Sequence, residues 1–196
     1  MSKGDLTRDT ILEAALELAS EVGFEGLTIG TLAGRVKLSK SGLYAHFASK
    51  EDLQGRVLEV AGQHFVDRVL RRAIREPRGL PRVQALFEHW VQWVTADLRG
   101  GCPFLAAAIE YDDRPGPLRD RLVKLLDGVL ESVAKAARLA IEQGHLRADL
   151  DVDQFAFEFW AIVQGYHHYA RLFRRADAME RARRAFDGLL RDALPR

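Results

Sequence analysis

The sequence predicts an all-α protein: a three-helix N-terminal unit joined by a long helix to a helical bundle, about nine helices in total. Three observations carry this. Apolar residues recur at i, i+3, i+4 and i+7 along the chain. Clusters of Gly and Pro, such as Pro77-Gly79-Pro81 and the 112–117 stretch, punctuate the stripes. No alternating strand pattern of useful length occurs. With 47% apolar residues in 196, the chain has enough material for a substantial core.

The first helix spans about residues 7–22, with Ile11, Leu12, Ala15, Leu16, Ala19 and Val22 as its stripe. Gly23 fits the left-handed position after it, followed by apolar Phe24. Thr28 precedes the stripe Ile29, Leu32, Ala33 and Val36 and reads as an N-cap. The chain turns at Lys37-Leu38. Ser39 then caps a second short helix, 39–47, that buries Leu43 and Phe47. Two short helices around a tight turn make a helix-turn-helix pattern. The 26–50 stretch holds Arg35, Lys37, Lys40 and Lys50 with no Asp or Glu, although the whole-chain charge is only +1. Outward residues of the second helix are Lys40, Ser41, Gly42, Tyr44, Ala45 and His46. Small residues allow close approach to a major groove, and Lys40, Tyr44 and His46 have the reach to meet phosphates.

The segment SKSGLYAHFASKEDL resembles the recognition helix and following linker of the TetR family of bacterial transcriptional regulators, and ILEAALELASEVGFEGLTIGTLAGRV resembles its first two helices. The resemblance implies a DNA-binding domain over 1–50 and a ligand-binding, dimerising domain over 51–196. It implies DNA contacts from Thr28, Ser39, Lys40, Ser41, Gly42, Tyr44, His46 and Lys50, the last matching the family's phosphate-contacting lysine. Lys37 stands where the family usually has glycine, and Gly30 where a long polar side chain is common. A left-handed Lys37 costs roughly 1–2 kcal/mol.

Ser49 and Asp52 have capping-box spacing at the start of the long helix, about 50–75, with Leu53, Val57, Val60, His64 and Val69 facing inward. Val83, Phe87, Trp90, Val91 and Val94 mark the next helix, which is expected to end near Gly100-Gly101. A short apolar helix covers 102–111, and Pro117 suits the first position of a helix running to Gly144. After a loop at 145–151, helices follow over 152–173 and 177–193. The block GCPFLAAAIEYDDRPGPLRD also resembles a C-terminal domain type of the family. Trp93, Phe104, Tyr111, Trp160, Gln164 and Tyr166 are the candidates for an effector pocket of aromatic walls with few polar groups. Phe186, Leu189 and Leu190 form a terminal apolar stripe expected at a homodimer interface.

Other chemistry finds little support. No nucleophile elbow, phosphate loop, HExxH or paired-cysteine motif suggests an enzyme, and no cofactor is implied. His167 and His168 are adjacent and do not share a helix face, so no metal site is expected. Cys102, the single cysteine, reads as a buried thiol and fits a reducing cytoplasm. The C-terminal arginines, interspersed with acids, read as a solvated helix face. No signal peptide and no membrane-spanning stretch are expected. The expected function is a ligand-responsive repressor that binds a pseudo-palindromic double-stranded operator as a homodimer and is released by a small apolar or aromatic effector. The alternative is a DNA-binding regulator with no small-molecule effector.

Overall fold

The computed structural model describes residues 3–195, so the expected domain ends at residues 1 and 196 lie outside it. All regular structure among the described residues is helical, in nine helices. They are α1 (Lys3–Gly26), α2 (Ile29–Val36), α3 (Lys40–Tyr44), α4 (starting as Lys50–Phe65), α5 (Leu80–Ala96), α6 (Pro103–Tyr111), α7 (Pro117–Glu142), α8 (Val152–His167) and α9 (Ala178–Ala193). Helix α4 continues through a π-turn, Val66–Leu70, into Arg71–Ala73, and α8 ends in a second π-turn, His168–Leu172. Among the described residues no helix is long and apolar enough to cross a membrane.

The termini follow from local chemistry. Gly23 interrupts α1 with φ 78° and ψ 168°, a region essentially reserved for glycine. The Ser49 hydroxyl accepts from the Asp52 N–H at 3.0 Å, and the Asp52 carboxylate accepts from the Ala48 N–H at 3.1 Å. The reciprocal bond of the cap thus lands one residue earlier than in a standard capping box. Asp151 caps α8 through the N–H groups of Asp153 and Gln154. Helix α5 stops at Ala96, short of the glycines expected to end it.

The chain forms two compact units. The first contains residues up to His64 together with Leu98–Leu125. Its core holds Leu16, Phe24, Leu27, Leu32, Leu43 and Phe47, all sealed from solvent. Burial of each such side chain contributes about 1.5–3 kcal/mol. Helix α6 lies against α1 in this unit. The approach to α1 is closest at Gly100, where an added Cβ would fall 1.6 Å from the Ser20 carbonyl oxygen. The Gly100 N–H donates to the Ser20 hydroxyl at 3.0 Å.

The second unit contains Phe65–Asp97 and the residues from Leu126 on. Its core is aromatic. Phe87 stacks on Phe186 with centroids 4.1 Å apart, and Phe159 meets both rings edge-on. Phe65 contacts Trp90 and Trp93 edge-on, and Trp90 in turn contacts Trp160. Edge-to-face pairs of this kind contribute about 0.5–1.5 kcal/mol beyond their burial.

Candidate nucleic-acid interface

The helix-turn-helix is built by its caps. Thr28 Oγ1 accepts from the Thr31 N–H at 3.1 Å, and Thr31 Oγ1 accepts from the Thr28 N–H at 2.9 Å. This closed box starts α2 in a single direction. Lys37 ends α2 in the left-handed region, φ 56° and ψ 38°, and its N–H bonds the Ala33 carbonyl. Ser39 Oγ accepts from the Gly42 N–H at 3.0 Å and starts α3 two residues later. Helix α3 ends at Tyr44, earlier than the sequence spacing predicts, because the N–H groups of His46 and Phe47 both turn back to the Leu43 carbonyl. That turn still seals Leu43 and Phe47 inside.

The remaining side chains of α3 and its flanks face solvent. Ser39, Lys40, Ser41 and Tyr44 are exposed, Tyr44 by 58%, whereas Thr28, Gly42, His46 and Lys50 are half-buried. These residues lie on one short segment and its two neighbours, so the fold brings the predicted DNA-contacting set together. Gly30 presents no side chain on α2, and the Lys40 side chain packs over it. An added Cβ there would stand 3.7 Å from Lys40 Nζ.

The charge balance differs from the sequence pattern. Arg35 is paired with Glu21, and Lys50 donates to Glu25 at 2.9 Å; both acids belong to α1. Lys37 and Lys40 form no ion pair among the described residues. The acid-free segment is therefore half neutralised by the helix that precedes it.

Glu25 is the centre of a wider cluster. Its carboxylate accepts from the Tyr111 hydroxyl at 3.1 Å and lies 3.6 Å from Arg114, while its own N–H donates to Glu110 at 3.0 Å. The hydrogen bond from Lys50, aided by Tyr111 and Arg114, holds the Glu25 carboxyl below the usual carboxylate range. Burial and the neighbouring Glu25 charge push the Tyr111 phenol well up, so its hydroxyl remains a donor. Sequence reading placed Tyr111 in an effector pocket and left out Glu25. The signal for Glu25 was its position on the helix next to the basic segment.

The other predicted residues are dispersed. Phe104 and Tyr111 belong to the first unit, and Trp93, Trp160, Gln164 and Tyr166 to the second. Trp93 is sealed in the core against Phe65. Trp160 lines one cavity of the second unit with Phe157 and Asp127, and Tyr166 lines another with Tyr169 and Arg181. The Tyr166 hydroxyl lies 3.3 Å from that of Thr95. Phe186, Leu189 and Leu190 do not form a bare stripe: each is at most 9% exposed, because the second unit's own helices cover them. His167 donates to the Val94 carbonyl and His168 to that of Gln164. Among the described residues no group of three His, Cys, Asp or Glu could hold a metal ion, and Cys102 is buried.

Comparison with known proteins bears on this geometry directly. Residues 11–57 match the bacterial regulatory proteins of the tetR family, and residues 79–186 match the tetracyclin repressor-like C-terminal domain. The biofilm-operon negative transcriptional regulator IcaR of Staphylococcus epidermidis is 33% identical over 64 residues, a match that spans 33% of this chain and only 35% of IcaR. The transcriptional regulator AcuR of Cereibacter sphaeroides is 26% identical over 184 residues, 92% of this chain and 84% of AcuR. A TetR transcriptional regulator from Chloroflexus aurantiacus superposes with a TM-score of 0.86 at 27% identity, over 97% of this chain and 95% of that one. A capped helix-turn-helix with an open second helix, followed by a C-terminal domain of matching type, places this chain in the TetR family of DNA-binding transcriptional regulators.

Proposed function

We propose that the chain acts in the cytoplasm as a repressor that holds a pseudo-palindromic operator as a homodimer and releases it when a small apolar or aromatic effector binds. Residues 1–50 serve as the DNA-binding domain and 51–196 as the ligand-binding and dimerising domain. The observation that carries the reading is the exposed face of α3, capped by Ser39 and free of acidic residues. Gly42 and Ser41 approach the base edges of a major groove, while Lys40, Tyr44, His46 and Lys50 meet phosphates and set the register. Ser39 and Thr28 fix the helix starts at the groove wall. The repressor sense is supported by the similarity to IcaR, a negative transcriptional regulator.

Two half-sites require two α3 helices at a fixed separation, hence a dimer. The outer face of α8 offers apolar surface for it: Phe157 is 63% exposed, Leu172 69%. Phe186, Leu189 and Leu190 support such an interface from behind by anchoring α9. An effector shifts the equilibrium only if it binds the releasing conformer more tightly, and α4 is the element that carries the difference to the DNA-binding domain. Trp160 and Tyr166, which line two separate cavities of the second unit, are the candidate aromatic walls.

The test starts with operator selection from a random DNA pool, followed by mobility shifts across a metabolite library. A symmetric selected site is expected, and Gly42→Glu should abolish its binding in a protein that remains folded and dimeric. A variant that binds normally would mean that α3 is not the recognition helix. Metabolites that stabilise the protein yet never alter operator affinity would leave a DNA-binding regulator with no effector.

A further inference from the structure

The second unit contains a cavity of about 380 Å³, within the range of small-molecule sites. It lies beside the end of α4, the start of α5 and the later part of α7. Leu70, Leu86 and Leu139 give it apolar walls, and Ile74 stands at the same site with 60% of its surface in water. An isoleucine left so open next to a concave apolar wall marks a surface that gains by being covered.

The charged residues of the cavity share one sign. Arg78, Arg82 and Lys135 line it, with no Asp or Glu among the lining residues. Arg78 and Lys135 are exposed and make no ion pair among the described residues. The Arg82 Nη2 donates to the carbonyls of Ile74 and Glu76 at 3.1 and 2.9 Å, which fixes the guanidinium against the end of α4. Its Nε is shielded from water and has no acceptor among the described residues. Three cations at one cavity, without a counter-charge, repel each other unless an anion joins them. Apolar walls with a cationic rim are complementary to a molecule with an aliphatic body and an anionic head.

We infer that this cavity binds a short aliphatic anion, with the tail against Leu70, Leu86 and Leu139 and the head between Arg78, Arg82 and Lys135. The inference rests on the effector reading above but seats the effector here, in a cavity apart from those lined by Trp160 and Tyr166, and gives it a negative head. Arg82, pre-positioned by two backbone carbonyls, loses little freedom on meeting the head, and Arg78 and Lys135 close over it from the rim.

Octanoate is the probe, with octanol as its neutral counterpart, measured by calorimetry and thermal shift on the full chain. One octanoate per chain should bind at least tenfold more tightly than octanol, and each added methylene from hexanoate to octanoate should tighten binding by about fourfold. The double variant Arg78→Gln/Lys135→Gln touches two exposed side chains outside the DNA-binding domain. It should cut the preference for octanoate over octanol at least threefold, leaving what Arg82 supplies, in a protein that melts no lower than the parent. Equal binding of the two probes by the parent, or an undiminished octanoate preference in the double variant, overturns the inference. The effector reading is tested separately by adding octanoate to the operator complex. Binding without release keeps the anion site and removes its regulatory role.

Discussion

Glu25→Gln offers the most direct test of how the DNA-binding surface is tuned. Lys50 is the residue placed against phosphate, and its ammonium is held at 2.9 Å by Glu25. Operator binding must break that pair or share it. Both partners are partly exposed, 40% and 47%, so the pair contributes only about 0.2–1 kcal/mol. A dimer on two half-sites doubles this to about 0.4–2 kcal/mol, roughly a 2- to 30-fold tighter operator complex when Glu25 loses its charge. The salt dependence should steepen by up to about one unit per protomer, because Lys50 then displaces counterions with its full charge. The assay is fluorescence anisotropy with operator DNA across a salt titration. Lys50→Ala on its own should weaken binding to all sequences and flatten the slope. The decisive measurement is the double variant: in Glu25→Gln/Lys50→Ala the gain should vanish. A gain that persists without Lys50 would show that Glu25 acts by general repulsion of DNA. No gain in the single variant would remove Lys50 from the phosphate contacts.

Three further outcomes follow from local geometry. Lys37→Gly replaces a left-handed lysine, φ 56°, and should stabilise the fold by about 0.5–1 kcal/mol, a rise of roughly 1–4 °C in Tm; a lower Tm would show that the lysine side chain contributes more than its backbone costs. Gly100→Ala drives a methyl group into the Ser20 backbone and should cost about 3 kcal/mol, read from the urea midpoint; an unchanged midpoint would mean that α1 and the 98–101 turn separate freely. Burial, reinforced by the neighbouring His168 and Arg171, holds the His167 pKa below its ordinary value of 6.5 despite the opposing bond to the Val94 carbonyl. The unfolded chain therefore takes up this proton first, and the stability contributed by neutral His167 is present above pH 6.5 and lost as pH falls through the folded value. Urea midpoints at pH 7.5, 6 and 5 should decline less steeply in His167→Gln; parallel declines would assign the effect to other groups.

The helices and their caps were legible because their causes are local. Thr28, Ser39 and Asp52 act within four residues of themselves, and a left-handed Lys37 follows from the turn that must form between two short helices. The pairings that neutralise Arg35 and Lys50 were not legible, since α1 residues 14 and 25 positions away had to be brought back by tertiary packing. The same holds for Tyr111, which reaches Glu25 across 86 positions. What covers the terminal apolar stripe was not legible for a related reason. Periodicity marks a face as buried but does not say what buries it, and Phe87 and Phe159 were available in the same chain. The cationic cavity draws on positions 78, 82 and 135, a set that no spacing rule would connect.

The π-turn in α4 explains a pattern that an ordinary helix cannot sustain. Leu53, Val57, Ala61, Phe65, Val69 and Ala73 recur every fourth residue and are all sealed from solvent. In a regular α-helix each four-residue step advances the direction by about 40°, so a strict period of four winds off any single face. The wider turn at Val66–Leu70 runs the drift backwards and returns Val69 and Ala73 to line. In effect α4 carries one surplus residue, parked where the phase needs correcting. Deleting Asp67 should therefore heal the turn into plain α-helix and leave both ends of the stripe buried. Deleting Glu59, eight residues earlier, should instead turn Ala61 and Phe65, the buried positions between it and the π-turn, toward water.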